Sequence, residues 1–115
     1  MDNKKYKLVV VLMNRGFAEE ALAAAREAGA QGGTIINGRG TAKSAPTLFG
    51  MAIDPEKSIL FMAVEKSNTK TVMEGVFKKV GLGTPANGIC IALPIENIVG
   101  LEELAEAEQG NIEAK

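Results

Sequence analysis

The residues with the most chemical potential stand together between Gly38 and Ser44, in the order Gly-Arg-Gly-Thr-Ala-Lys-Ser. Glycines at 38 and 40 let neighbouring backbone N–H groups converge, which can form a nest for an anion. Arg39 adds a planar fork suited to phosphate or carboxylate. Thr41 and Ser44 offer hydroxyl donors, and Lys43 a further positive charge. The same residues also fit a strand-ending turn that needs positive φ and carries a solvated arginine. A second glycine-containing stretch, Gly83-Thr84-Pro85-Ala86-Asn87-Gly88, could turn its amides toward the same cleft. It fits equally well a helix-to-strand connection with an Asn-Gly turn. Arg15-Gly16 is a third candidate, an anion site at the start of a helix.

Other chemistries are thinly supplied. The chain has no histidine, which removes His-based acid–base catalysis, Ser-His-Asp chemistry and most transition-metal sites. Gly81-Leu82-Gly83-Thr84 lacks the lysine and the following helix of a phosphate-binding P-loop. Cys90 is the single cysteine and stands in an apolar run with no cation beside it, so it reads as a structural thiol. One cysteine excludes an internal disulfide and fits a reducing, cytoplasmic compartment. The sequence assigns no catalytic residue and no metal ligand.

The elements that must position these groups are legible from breakers and periodicity. Lys7 to Met13 is a continuous aliphatic run, expected to be a central strand and not an h-region of a signal peptide. Phe17 to Ala28 is alanine-rich with apolar residues at helical spacing, and Gly29 stands at the expected C-cap. Thr34 to Asn37 is a second strand, and residues 38 to 51 form a loop. Asp54-Pro55-Glu56-Lys57 is a turn signal before a third strand, Ser58 to Val64. That strand is apolar on both faces, with Ile59, Phe61 and Ala63 on one and Leu60, Met62 and Val64 on the other. Ser67 or Asn68 is placed to cap a second helix, with Val72, Val76 and Val80 stacked along one stripe and Gly81 at its end. Ile89 to Ile95 is the fourth strand. Ile98 to Leu101 is a candidate short edge element, and an acidic tail occupies 102–115.

The order βαββαβ predicts a ferredoxin-like α+β domain over residues 1–101, a four-stranded antiparallel sheet with two helices on one face. At 115 residues, the chain has room for one domain. The uncovered sheet face is apolar and calls for an oligomer. A formal net charge of −1 and aliphatic strands, with five aromatics in all, argue against nucleic acid. No apolar run is long enough to cross a membrane as a helix.

In this order, several segments resemble the PII superfamily of signalling proteins, and most closely its divergent PII-like members. They are Ala28-Gly29, Gly32-Gly33-Thr34-Ile35, Gly38-Arg39-Gly40-Thr41, Phe49-Gly50, Asn87 to Ile91, and Leu93-Pro94-Ile95-Glu96. The resemblance spans about residues 6 to 101. It implies a homotrimer, with an adenine nucleotide or related small anionic effector between subunits. It also implies a loop, the T-loop at about 38–50, that docks on a target transporter or enzyme, with nitrogen metabolism as the family setting. Site residues implied are Gly38, Arg39, Gly40 and Thr41, with Asn87 and Gly88 closing the cleft from a neighbouring subunit.

The departures are specific. The T-loop is shortened and has no tyrosine, since the only one is Tyr6. The phosphate-contacting Gly-Asp-Gly-Lys of the family is replaced by Ala86-Asn87-Gly88-Ile89, and glutamates replace its C-terminal arginines. The reading is therefore a non-enzymatic regulator. Two alternatives stand beside it: a small enzyme acting on an activated phosphate or acyl group at Arg15 and Arg39, and an assembly module that binds no small molecule.

Overall fold

A computed structural model describes residues 5–39, 47–48, 51–52 and 56–100. Strand β1, Tyr6–Asn14, is followed by helix α1, Ala18–Glu27, and strand β2, Thr34–Arg39. A short antiparallel pair, β3 at Thr47–Leu48 and β4 at Met51–Ala52, lies within the loop region. Strand β5, Glu56–Glu65, a 3-10 turn at Lys66–Asn68, helix α2, Thr69–Val80, and strand β6, Ile89–Pro94, complete the order. The main sheet runs β2-β5-β1-β6 and every neighbouring pair is antiparallel. This is the ferredoxin-like α+β fold that the element order predicts.

Alternation in the strands sorts the apolar residues onto two faces. Val9, Val11 and Met13 of β1 and Leu60, Met62 and Val64 of β5 are buried beneath the helices. Val72, Val76 and Val80 of α2 meet them, and α1 adds Ala18, Ala21, Leu22 and Ala25. Each fully buried valine or leucine contributes roughly 1.5–3 kcal/mol through burial. The two helices approach closely because their contact is built from small residues. A methyl at Gly75 would already touch the Ala28 Cβ at 3.4 Å.

Helix α1 ends as the sequence predicts. Gly29 adopts φ 113, and the N–H groups of Gly29 and Ala30 reach back to the carbonyls of Arg26 and Ala25. A side chain at Gly29 would also collide with Asn68. That contact explains a departure at the other helix. Asn68 makes no side-chain cap to α2; its Nδ2 instead donates to the Ala28 carbonyl at 3.0 Å. A tertiary hydrogen bond that ties the two helix ends together has displaced the local cap. Residues 98–100 form no strand, and Leu101 and the acidic tail 102–115 lie outside the described residues.

The face away from the helices is apolar and open. Backbone register aligns Ile36, Ile59, Leu12 and Ile89 in one row. Thr34, Phe61, Val10 and Ile91 form the next, and Ala63, Leu8 and Leu93 the third. Ile36, Ile89, Ile91 and Leu93 are 45, 52, 41 and 43% exposed.

Candidate functional site

The candidate residues gather at one end of the sheet. Strands β1 and β2 run toward it and β5 and β6 start from it, so the loops after Arg39, after Asn14 and before Ile89 share that end. Gly38 and Arg39 are still part of β2, in register with Lys57 and Glu56. Gly38 is not among the described residues with positive φ, which are Gly16, Gly29, Gly83, Gly100 and Asn87. A Cβ there would sit 3.1 Å from Ile59 Cδ1, a tight contact with the flexible end of that side chain. Arg39 is exposed at the sheet edge. Gly40 and Thr41 lie outside the described residues, as do Lys43, Ser44 and the turn at Asp54-Pro55.

The loop between α2 and β6 is folded on itself. Thr84 Oγ1 donates to the Gly81 carbonyl at 2.7 Å, and the Thr84 N–H reaches the same oxygen at 3.1 Å. The Asn87 N–H goes to the Thr84 carbonyl at 3.0 Å, and the Gly88 N–H to the Val80 carbonyl at 2.7 Å. Both amides of the Asn87-Gly88 pair are thus engaged within the loop. Asn87, at φ 48 and exposed, presents its carboxamide outward. Gly88 is buried where any side chain would strike the Val80 carbonyl oxygen.

Within one chain, Gly38 and Arg39 stand apart from Asn87 and Gly88. Strands β2 and β6 are the two edges of the sheet. Three inter-strand spacings of about 4.8 Å separate them by roughly 14 Å. What lies between is a polar network that sequence reasoning missed. Asn14 Oδ1 accepts from Lys57 Nζ at 2.7 Å, and Asn14 Nδ2 donates to the Pro85 carbonyl at 3.0 Å. The Asn14 N–H donates to the Ala86 carbonyl at 2.8 Å. Arg15 Nη1 meets Glu56 Oε2 at 3.2 Å, and its N–H the Glu56 carbonyl at 3.3 Å. The available signal was a polar residue closing an apolar strand opposite a proline-initiated return, Asp54-Pro55-Glu56-Lys57. Its partner at 85–86, some 70 residues away in sequence, has no local signature.

Cys90 is half-buried against the core, and burial raises its thiol above the ordinary range. A thiol so placed is a poor nucleophile. Among the described residues, no three histidine, cysteine or carboxylate side chains cluster to hold a metal, and no helix is long and apolar enough to cross a membrane. Among the described residues, three surface hollows lie away from the loop end. One of about 620 Å³ runs between α1 and α2 past Ala24, Gly75 and Phe77. Two others, of about 330 and 470 Å³, flank Tyr6 at the far end of the sheet.

With this geometry in place, comparison with known proteins separates sequence from fold. No family model matches the sequence, and no curated protein does. A solved structure does match: Arabidopsis thaliana PII bound to citrate, with a TM-score of 0.64 at 17% identity, covering 86% of this chain and 82% of that one. The fold is PII-like. At that identity the likeness establishes architecture alone. It agrees with the resemblance drawn from the residues, and that neighbour is a small-ligand-binding protein by its bound citrate.

Proposed function

We propose that this chain is a non-enzymatic regulatory protein that works as a homotrimer. It binds a small anionic effector, an adenine nucleotide in the first instance, in clefts between subunits. The observation that carries this reading is the open apolar face of the sheet, whose first two rows run from one edge strand to the other, the first of them ending at Ile89 beside Gly88. Closing three copies around that face sets the β2 edge of one beside the β6 edge of the next. Arg39, which cannot reach Asn87 in its own chain, then faces the Asn87 of a neighbour. Gly38 and Gly40 line the backbone there, Thr41 adds a hydroxyl, and Gly88 lets β6 start close to the helix end.

The ligand acts by population shift: contacts at the base of the 38–50 loop select one loop arrangement, and a target transporter or enzyme reads it. The likeness to a PII protein holding citrate, itself a small polyanion, supports an anion in such a cleft. The single cysteine supports a cytoplasmic setting. Nitrogen metabolism is the setting that the PII fold suggests.

The test is a thermal-shift screen against ATP, ADP, AMP, cyclic AMP, S-adenosylmethionine, 2-oxoglutarate, bicarbonate and citrate, with and without Mg²⁺. A ligand that binds only the folded state raises Tm with concentration as RT ln(1 + [L]/Kd). One saturable shift, whose Kd rises at least tenfold in Arg39→Ala with the Tm of the free protein little changed, is the expected result. A flat response across the panel favours the ligand-free assembly module. Consumption of a bound ligand on long incubation favours the small enzyme.

A further inference from the structure

We infer that Asn14 is a coupling residue, through which the base of the long loop and the 84–88 loop set one another's position. The inference deepens the functional reading above, because these are the two sides of the proposed clefts. It stands, however, on contacts within a single chain. The two hydrogen-bonding atoms of the Asn14 carboxamide face opposite ways and each meets the partner it needs. Lys57 Nζ can only donate, and it meets Oδ1 at 2.7 Å; the Pro85 oxygen can only accept, and it meets Nδ2 at 3.0 Å. The orientation of the amide is thereby fixed, since a flipped group would set donor against donor and acceptor against acceptor. The backbone N–H of the same residue holds the Ala86 carbonyl at 2.8 Å.

Each end of this bridge also has a hold of its own: Lys57 is paired in the sheet on both sides, and Ala86 is fully buried in the core. Lys57 stands second in β5, where the chain returns from the long loop, opposite Asn14 on one side and Gly38 on the other. The 81–88 loop is fastened by its own turns, by Gly88 to the end of α2, and by Asn14 to the sheet. Asn14 is therefore the side chain that joins the first and third strands of the site end to the second loop. A shift of Lys57 away from Oδ1 frees the carboxamide to rotate and slackens the hold on Pro85 and Ala86. A change at one loop is in this way delivered to the other across the sheet.

Amide hydrogen exchange on the full-length protein without ligand tests this, so the outcome does not depend on whether any effector binds. Lys57→Met is the decisive variant, because it leaves Asn14 and the 84–88 loop chemically intact. Exchange at the Asn87 and Gly88 amides is expected to rise at least threefold in Lys57→Met and about tenfold in Asn14→Ala. Asn14→Asp keeps an acceptor for Lys57 but loses the donor to Pro85, and should match Asn14→Ala. Lys78→Met, a charge removed from the exposed side of α2, should leave both amides unchanged. If Lys57→Met leaves Asn87 and Gly88 at their wild-type rates while Asn14→Ala accelerates them, Asn14 only anchors its own loop and the coupling is refuted. If neither variant moves them, the contact has no hold on the loop and the inference also fails.

Discussion

The two faces of this sheet are built from the same strands and nearly the same residue types, yet one is covered and the other is exposed. Val9, Val11, Leu60 and Met62 face the helices and are almost wholly buried, whereas Ile36, Ile89, Ile91 and Leu93 on the reverse keep two-fifths or more of their surface exposed. One set of aliphatic side chains is the core of the monomer. The other is exposed, and in the proposed trimer it is the surface that the subunits share. Hydrophobic composition does not distinguish them; what separates them is which parity of residue the two helices cover. If the proposed trimer forms, stability and assembly are carried by alternate residues of the same strands, and single substitutions one position apart should separate the two.

Ile91→Glu breaks this comparison most sharply. An unpaired carboxylate in each of three subunits meets at the proposed shared face, and burying such a charge costs several kcal/mol per ion. Sedimentation velocity should change from a trimer to a monomer, with far-UV circular dichroism retained. A wild-type protein that sediments as a monomer at micromolar concentration would remove the basis for the trimer. Leu60→Ala is the counterpart on the covered face. It leaves a cavity beneath the helices and should lower stability by about 2–5 kcal/mol in urea denaturation. An equal loss from both substitutions, with assembly intact, would mean that the two faces are not distinct in role.

Between the faces lie the helix ends, where smaller effects are expected. Asn68→Ala removes the hydrogen bond from Asn68 Nδ2 to the Ala28 carbonyl. The cost should be about 1 kcal/mol by chemical denaturation, typical of one such bond. If Asn68 served only as a local cap of α2, Asn68→Ser would restore the loss. Because the side chain reaches the end of α1 instead, Asn68→Ser should behave like alanine.

How much of this was legible follows the same division. The strands, the helices and the Gly29 stop follow from periodicity and breakers, because local backbone preference and core burial agree there. Both apolar faces of β5 were readable from alternation between Ser58 and Val64. Gly38 and Arg39 were expected to begin the loop but continue β2, since pairing with Lys57 and Glu56 extends the strand beyond its last apolar residue. The role of Asn68 was hidden because its partner, Ala28, is distant in sequence. Asn14 was hidden for the same reason. A carboxamide at the end of an apolar strand has no pattern of its own, and its meaning arises only when Lys57 and Pro85 arrive from different parts of the chain.

The smallest effect expected is at the polar rim, and it tells whether that rim holds the fold or only the site. Arg15 and Glu56 form an ion pair at 3.2 Å, but their side chains are 62 and 48% exposed. Water screens such a pair, and ordering two long side chains offsets most of the attraction, so its worth is about 0.5 kcal/mol or less. Arg15→Ala should shift a urea midpoint barely beyond error, and raising the salt concentration should not destabilise the wild type measurably. The backbone bond from the Arg15 N–H to the Glu56 carbonyl survives the substitution, which keeps the strand ends in place. A loss approaching that of Asn68→Ala would place the rim among the elements that hold the monomer together. A negligible loss leaves Arg15 dispensable for folding, and any change it then causes in anion affinity can be assigned to the site, on the same terms as Arg39→Ala.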